Sequence, residues 1–342
     1  MSEHGHTDRR PTLDAVAARA GVGRGTASRV VNGSPRVSEA ARTAVLLAIE
    51  ELGYVPNRAA RALVTRRTDS IALVVSESEA RVFAEPFFAR IVRGITDALA
   101  PTGKQLLLTF ARGADDRVRL AQYLSGQHVD GVLLISLHGG DPLPAQLERA
   151  GLPTVVGGLP VGLQPVSYVD IDNRHGARQA VDHLITTGRH TIAAIAGPLD
   201  MTAGVNRLAG YRDALEAADR PVSDELIGYG DFSEESGAAA IERLLAARPD
   251  IDAVFAASDP MALGAMRVLK ASGRLIPGDV AVMGFDDSPA GPHTDPPLST
   301  VHQPVEQMGK QMTQLLLARI GGDDLAAMAV VLPTRLIVRG SG

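Results

Sequence analysis

Residues 12–33 read TLDAVAARAGVGRGTASRVVNG, and this stretch decides the fold of the amino-terminal part of the chain. Thr12 is a good capping residue and Gly21 a good stop, so a first helix is predicted between them. Its apolar residues recur at helical spacing at Leu13, Val16, Ala17 and Ala20. A second helix is predicted at about 24–31, after a tight glycine turn. Two helices joined in this way indicate a helix-turn-helix unit.

A third helix is predicted to brace this pair. Ser38 can cap it, and Gly53 supplies the residue that ends it. Its buried face is predicted to comprise Ala41, Val45, Leu46, Ile49 and Leu52. Residues 1–55 should therefore form a small three-helix domain.

Charge is distributed unevenly along the chain. The net formal charge is −5, but residues 1–67 contain eleven arginines against six acidic residues and so carry +5. The remainder must carry −10. A basic module on an acidic body suggests a polyanionic partner for the amino-terminal part alone.

Beyond residue 70, short apolar runs alternate with amphipathic helical patterns. The runs predict strands at 71–75, 105–109, 131–135, 154–156, 191–196, 253–256 and 280–283. Helical patterns between them lie at 86–99, 178–187, 205–217, 235–246 and 260–271. This alternation predicts an α/β fold with parallel sheets. Because residues 69–342 are too many for one such sheet, we expect two lobes with a ligand cleft where the strands' carboxyl ends meet.

Several classes of protein are disfavoured by composition. The chain has no cysteine, which excludes disulfides and thiolate metal sites and fits a reducing compartment. The first twelve residues lack the apolar run of a signal peptide, and no stretch reaches 18 uninterrupted apolar residues. The histidines show no ligand spacing with carboxylates, and no catalytic constellation is present. We therefore predict a cytoplasmic protein that is not an enzyme and has no membrane partner, metal or cofactor.

Motifs spread over nearly the whole chain resemble the LacI/GalR repressors. They are Thr12-Leu13-Asp14-Ala15-Val16-Ala17, Gly21-Val22, Thr26-Ala27-Ser28-Arg29-Val30-Val31-Asn32-Gly33, Leu52-Gly53-Tyr54-Val55-Pro56-Asn57, Ala60-Arg61-Ala62-Leu63, Arg207-Leu208-Ala209-Gly210-Tyr211, Ser258-Asp259-Pro260-Met261-Ala262 and Gly284-Phe285-Asp286-Asp287. One departure is Gly23, where the family usually has a serine that caps the recognition helix. Glycine offers no side-chain oxygen, which puts one phosphate contact in doubt.

The resemblance implies a domain organisation. Residues 1–55 would bind DNA, 56–68 would form a hinge helix and linker, and 69–342 would form a two-lobed, periplasmic-binding-protein-like body that binds an effector and dimerises. The lobe ranges implied are about 69–169 and 303–329 for the N-lobe, and about 170–302 and 330–342 for the C-lobe. The hinge segment is too short to be stable as an isolated helix, so it should be helical only when something holds it.

The resemblance also implies a function, that of a homodimeric, sequence-specific transcriptional repressor on a palindromic operator. Three strings are similar to actinobacterial regulators of cellulose and cellobiose use: 67–77, 126–131 and 167–173. They imply a cello-oligosaccharide effector such as cellobiose, acting as an inducer. The alternatives are a repressor that responds to another sugar or to a purine corepressor, and a sugar-binding transport protein with the same two-lobed body. The basic amino-terminal domain argues against the transport protein.

On the DNA side, the second helix would lie in the major groove with its first residues against base edges. Arg24, Gly25 and Arg29 are the predicted readers, since arginine can bond bidentately to guanine. A phosphate contact is the alternative for either arginine. The family wedges a leucine of the hinge into the minor groove, and Leu63 matches it, with plain packing as its alternative. The remaining predicted DNA contacts are Thr12, Thr26, Ser28, Asn32, Asn57 and Arg61.

On the effector side, Phe83, Phe87 and Phe88 follow the first strand of the body, where loops face the cleft. Phe87 or Phe88 is predicted as an apolar platform for a sugar ring, with ordinary core packing as the alternative. Arg207 and Asp286 are predicted to grip neighbouring hydroxyls.

For Asp286, capping of the next loop is the rival interpretation. Phe232 and Ser258 match further family pocket positions. Gln303 and Asp172 are weaker candidates, and Asp172 could instead tie the crossover strands.

Overall fold

A computed structural model of the protein describes residues 11–55, 67–162, 166–322 and 327–342. The chain divides into two compact units, Met1–Thr68 and Asp69–Gly342. Asn57, Arg61 and Leu63 of the predicted hinge helix lie outside the described residues.

The smaller unit contains three helices, α1 (Leu13–Arg19), α2 (Arg24–Val31) and α3 (Glu39–Leu52). The predicted caps are present: the Thr12 hydroxyl accepts from the Ala15 amide at 3.2 Å, and Gly53 ends α3 in the left-handed region. The core consists of Val16, Ala17, Ala27, Val30, Val45 and Ala48. Leu46 was predicted to be buried but is 53% exposed, because α3 turns its Val45 and Ala48 side toward the other helices.

The larger unit contains two parallel sheets. The first comprises β1 (Ser70–Val75), β2 (Gln105–Phe110), β3 (Gly131–Ile135), β4 (Thr154–Gly157), β5 (Ser167–Ile171) and β11 (Ala329–Leu332), in the order β11-β5-β4-β3-β1-β2. The second comprises β6 (Ile192–Ala196), β7 (Ile227–Tyr229), β8 (Ala253–Ala256) and β9 (Ala281–Met283), in the order β7-β6-β8-β9. A short antiparallel pair is formed by β10 (Thr300–His302) and β12 (Arg335–Ile337). The predicted α/β class is confirmed.

Helices flank both sheets, as right-handed β-α-β connections require. Those of the first sheet, which together form the N-lobe, are α4 (Glu79–Ala84), α5 (Pro86–Leu99), α6 (Ala114–Tyr123), α7 (Leu143–Arg149) and α12 (Val305–Gly321). Those of the second sheet and the antiparallel pair, which form the C-lobe, are α8 (Asn173–Thr186), α9 (Thr202–Ala217), α10 (Glu234–Ala247) and α11 (Asp259–Ala271). No helix within the described ranges is long and apolar enough to cross a bilayer.

The chain crosses between the lobes later than the predicted ranges place it. Asp170 lies in β5, and β11 pairs with β5 in the register Ala329↔Tyr168 through Leu332↔Ile171, so 330–332 belong to the N-lobe sheet. The crossings therefore follow the carboxyl ends of β5 and β11. The strands that were not predicted are β5, β7, β10, β11 and β12. Of these, β7, β10 and β12 have three residues each, too few to show a period in the sequence, whereas the equally short β9 was predicted from the apolar run at 280–283.

Candidate functional site

A cavity lies in the larger unit where carboxyl ends of strands from both lobes meet, and it encloses about 860 Å³, part of it open to solvent. The predicted effector residues that line it are Phe87, Phe88, Arg207, Phe232, Ser258, Asp286 and Gln303. The one predicted residue outside the lining is Asp172.

Arg207 is the best-connected side chain of the cavity. It is 5% exposed, and its guanidinium donates to Asn173 Oδ1 at 2.8 Å and to the Ala257 carbonyl at 2.6 Å. One nitrogen lies 3.4 Å from Asp286 Oδ1. Burial lowers the pKa of Arg207, and the charge of Asp286 opposes that shift. These bonds hold the guanidinium group, a planar fork of N–H donors, in one orientation before any ligand binds.

Asp286 lies opposite, on a backbone with φ 130°, a value that few non-glycine residues adopt. Its carboxylate accepts from Gln303 Nε2 at 2.6 Å and, more weakly, from the Asp259 amide at 3.4 Å, at the start of α11. Burial raises the pKa of Asp286. Both of these partners lie outside the loop that follows Asp286, so the two hydrogen bonds tie the carboxylate to the cavity and to the start of α11 and do not cap that loop.

Two predicted residues have structural partners of their own. The Ser258 hydroxyl accepts from the Met261 amide at 3.3 Å as the N-cap of α11, and donates to the Phe232 carbonyl at 3.2 Å. Asp172 caps α8 by accepting from the His175 amide at 3.1 Å. Asp172 lies outside the cavity lining, although Asp170 and Asn173 on either side belong to it, so in this structure its carboxylate serves the helix end.

The aromatic rings divide into exposed, packed and cavity-facing ones. Phe83 is 78% exposed and is not part of the lining. Phe88 is 3% exposed and meets Phe87 edge-on, with ring centres 5.2 Å apart, so Phe88 is mainly a core residue that supports Phe87. Phe232 is held at φ 74°, and a Cβ at position 197 would overlap its ring atoms Cε1 and Cζ. Gly197 is thus required for the ring to lie where it does.

Some lining residues were not predicted. The polar ones are Arg81, Glu85, Ser136, Asp170, Asn173 and Thr202. Ser136 directly follows β3 and Asn173 is the second residue after β5, so their position near strand carboxyl ends was a usable signal. Asp170 accepts from the side-chain nitrogen Nδ2 of Asn173 at 3.2 Å, and burial raises the pKa of Asp170 to about 6.

Side chains and backbone also join the two lobes at the cleft. His138, which follows β3, contacts Glu77 Oε1 of its own lobe at 3.1 Å and Asp200 Oδ2 of the C-lobe at 2.9 Å. The Thr202 hydroxyl donates to the Leu159 carbonyl at 2.6 Å. Arg90 on α5 donates to the carbonyls of Asp286 and Asp287. A ligand between the lobes would act on these same contacts.

In the smaller unit, α2 buries Ala27 and Val30 and leaves the opposite side open. Arg24, Gly25 and Arg29 are exposed there, and Thr26 and Ser28 are half-buried. Arg24 lies 3.4 Å from Asp14, an exposed pair that competes little with another partner. Asn32 donates to Ser28 Oγ at 3.3 Å, and Gly23 caps α2 without a side-chain bond. The Thr12 hydroxyl caps α1 by accepting from the Ala15 amide, so it already has a partner within the smaller unit.

Among the residues that the structure describes, no group of three or more His, Asp or Glu side chains could hold a metal ion. The hydrogen-bonding and aromatic side chains of the cavity are the groups that a ligand would contact.

Comparisons with known proteins agree with this architecture. The profile of bacterial regulatory proteins of the lacI family matches residues 12–57, and that of the periplasmic binding protein-like domain matches residues 181–342. The HTH-type transcriptional regulator CelR of Thermobifida fusca is 58% identical over 98% of this chain and 99% of its own length.

Solved structures are similar over the same extent. A CelR–cellobiose complex is 56% identical, with a TM-score of 0.79 over 97% of this chain and all of that chain. A lac repressor dimer bound to operator and an anti-inducer is 28% identical, with a TM-score of 0.87 over 97% and 99% of the two chains.

Proposed function

The chain belongs to the LacI family of bacterial regulatory proteins, and from that premise we propose that it is a sequence-specific transcriptional repressor controlled by a cello-oligosaccharide such as cellobiose. The observation that carries the proposal is the cavity between the lobes, in which a buried arginine fork, a carboxylate and an amide converge beside an aromatic ring. We propose that the protein acts on its operator in the cytoplasm, without catalytic activity, metal, cofactor or membrane partner.

The chemistry of the cavity suits a sugar. Arg207 can donate to two neighbouring hydroxyls, and Asp286 and Asp170 can accept from them. The ring of Phe232 can cover the C–H face of a pyranose, and Phe87 offers a second apolar surface. The CelR relative, solved with cellobiose, supports the choice of a glucose disaccharide over other small molecules.

The exposed side of α2 suits the major groove. Arg24 and Arg29 would read guanines, Gly25 would let the backbone approach, and Thr26, Ser28 and Asn32 would contact phosphates. Thr12, Asn57 and Arg61 complete the proposed phosphate set, and Leu63 would wedge between base pairs in the minor groove. We assign DNA binding to 1–55, the hinge to 56–68, and effector binding with dimerisation to 69–342.

Control of operator binding by the effector would follow from thermodynamic linkage between the two binding sites. A sugar that contacts both lobes favours one angle between them, and only a difference in affinity for two states can shift operator binding. Two copies related by a twofold axis would read a palindrome. We propose cellobiose as an inducer, so that its binding releases the operator.

Mobility shift of the full-length protein on its own promoter region, with scrambled duplex as competitor, tests the DNA assignment at physiological ionic strength. Thermal-shift measurements with cellobiose, cellotriose, xylobiose, maltose and purines test the effector. Release of the duplex by cellobiose is expected. No preference over scrambled duplex contradicts the repressor, and stabilisation by purines alone contradicts the sugar effector.

A further inference from the structure

The cavity lining contains a second pair of charged side chains, Arg81 and Glu85, which we call the outer group. Arg207 with its partners Asn173 and Asp286 forms the inner group. We propose that Arg81 and Glu85 form a subsite for the second ring of the sugar and so make the repressor select a disaccharide over a monosaccharide. This inference rests on the proposed function, because it concerns the same cavity and the same class of ligand.

The Phe232 ring lies close to both charged groups. The guanidinium carbon of Arg207 is 5.6 Å from the centre of its ring, and that of Arg81 is 5.9 Å from the same centre. Arg207 comes from α9 of the C-lobe, whereas Arg81 comes from α4 of the N-lobe. One aromatic ring thus has a guanidinium group from each lobe within 6 Å of its centre, so donors from both lobes lie beside the same apolar surface.

The outer group is built in the same way as the inner one. Arg81 Nε lies 2.7 Å from Glu85 Oε1, and Arg81 Nη1 lies 3.1 Å from Glu77 Oε1. The Arg81 and Glu85 side chains are only 20% and 18% exposed, and both line the cavity. A carboxylate thus holds the fork in place, as Asp286 and Asn173 do for Arg207.

Two such donor–acceptor groups match two hydroxyl-bearing rings. The inner group would bond to the hydroxyls of one pyranose, and Arg81 with Glu85 would bond to those of the next. A monosaccharide would leave the outer group with its own ion pairs alone. The ligand class implied is a disaccharide or a longer linear oligosaccharide that spans both lobes.

The test compares cellobiose with glucose by isothermal titration calorimetry on the full-length protein. Arg81→Met keeps the apolar stem but removes the fork, and Glu85→Gln keeps the shape but removes the charge. We expect each variant to weaken cellobiose binding by roughly tenfold or more, the effect of losing a charged hydrogen bond, and to change glucose binding by less than about twofold.

Arg112→Met is the matched control. Arg112, which lies between β2 and α6, pairs with Glu79 of α4 at 3.3 Å, but it is 61% exposed and outside the cavity lining. We expect it to leave both affinities unchanged. Melting temperatures without ligand report whether each variant is folded.

Three results would overturn the inference. If the wild type binds glucose as tightly as cellobiose, the cavity does not select length. If both cavity variants keep the wild-type ratio of the two affinities, Arg81 and Glu85 do not read the second ring, although the sugar effector stands. If the wild type binds neither sugar, the proposed effector itself is wrong.

Discussion

The guanidinium carbon of Arg207 lies 3.8 Å from the centre of the Phe285 ring. The ring covers one face of a side chain whose edge is bonded to Asn173, Ala257 and Asp286. Cation–π contact and hydrogen bonds together offset the loss of water around a charge that is 5% exposed. The same residue therefore stabilises the C-lobe and presents the cavity's main donor.

Arg207→Met should abolish sugar binding and lower the free energy of unfolding by about 3 kcal/mol, because it leaves the Asp286 carboxylate buried without its cationic partner. Arg207→Lys should recover part of the stability but little of the affinity, since a single ammonium cannot replace the fork. Urea unfolding and calorimetry with cellobiose measure the two effects.

Arg174→Met is the control for that pair of variants. Arg174 bonds to Asp213 at 2.6 Å but its side chain is 60% exposed, so its removal should leave the free energy of unfolding nearly unchanged. Equal losses for Arg174→Met and Arg207→Met would contradict the account of Arg207.

Gly197→Ala should displace the Phe232 ring, because the new methyl group would overlap two of its atoms. We expect a loss of stability of about 1–3 kcal/mol and weaker cellobiose binding. Gly140→Ala is the control, since nothing lies within 4 Å of a Cβ at that position. Thermal melts with and without cellobiose measure both effects, and an unchanged affinity in Gly197→Ala would show that the ring does not contact the sugar.

The His138 bridge between the lobes should depend on pH. The hydrogen bond to Glu77 raises the pKa of His138, partial burial opposes this, and Asp200 adds to the rise. Arg81 also faces Glu77, at 3.1 Å. The charged histidine stabilises the folded state fully below its unfolded pKa of about 6.5, and this stabilisation is lost as the pH rises through the higher folded value.

We therefore expect His138→Gln to lower the melting temperature more at about pH 5.5 than at about pH 8.5. Melting curves of the wild type and the variant over this range measure the difference. A difference that stays constant with pH would mean that the imidazole remains neutral and donates to only one of the two carboxylates.

Arg24→Ala and Ser28→Ala separate base reading from phosphate contact. Loss of Arg24 should reduce discrimination at one guanine of each half-site by roughly 1–3 kcal/mol and relax specificity there. Loss of Ser28 should weaken binding to all sequences alike. Competition binding against duplexes with single base changes measures both. Uniform weakening by Arg24→Ala would assign that arginine to phosphate.

The family, the α/β class and the three-helix head could be predicted from the sequence because their signals are local. Thr12, Ser38 and Gly53 each act on a backbone within four residues, and the apolar spacing of α1 is complete within two turns. The motif containing Arg207 and that containing Asp286 were likewise sufficient to select two cavity residues.

The composition of the cavity was decided by the tertiary structure. Asp170 and Asp172 are two residues apart in similar sequence surroundings, yet one lines the cavity and the other caps α8, because β5 ends between them. Phe232 reaches its place only because Gly197, 35 positions earlier, leaves room for the ring. Arg81 becomes a cavity residue only when the C-lobe brings Phe232 to it. Such contacts join segments that are distant along the chain, and no periodicity or spacing within either segment encodes them.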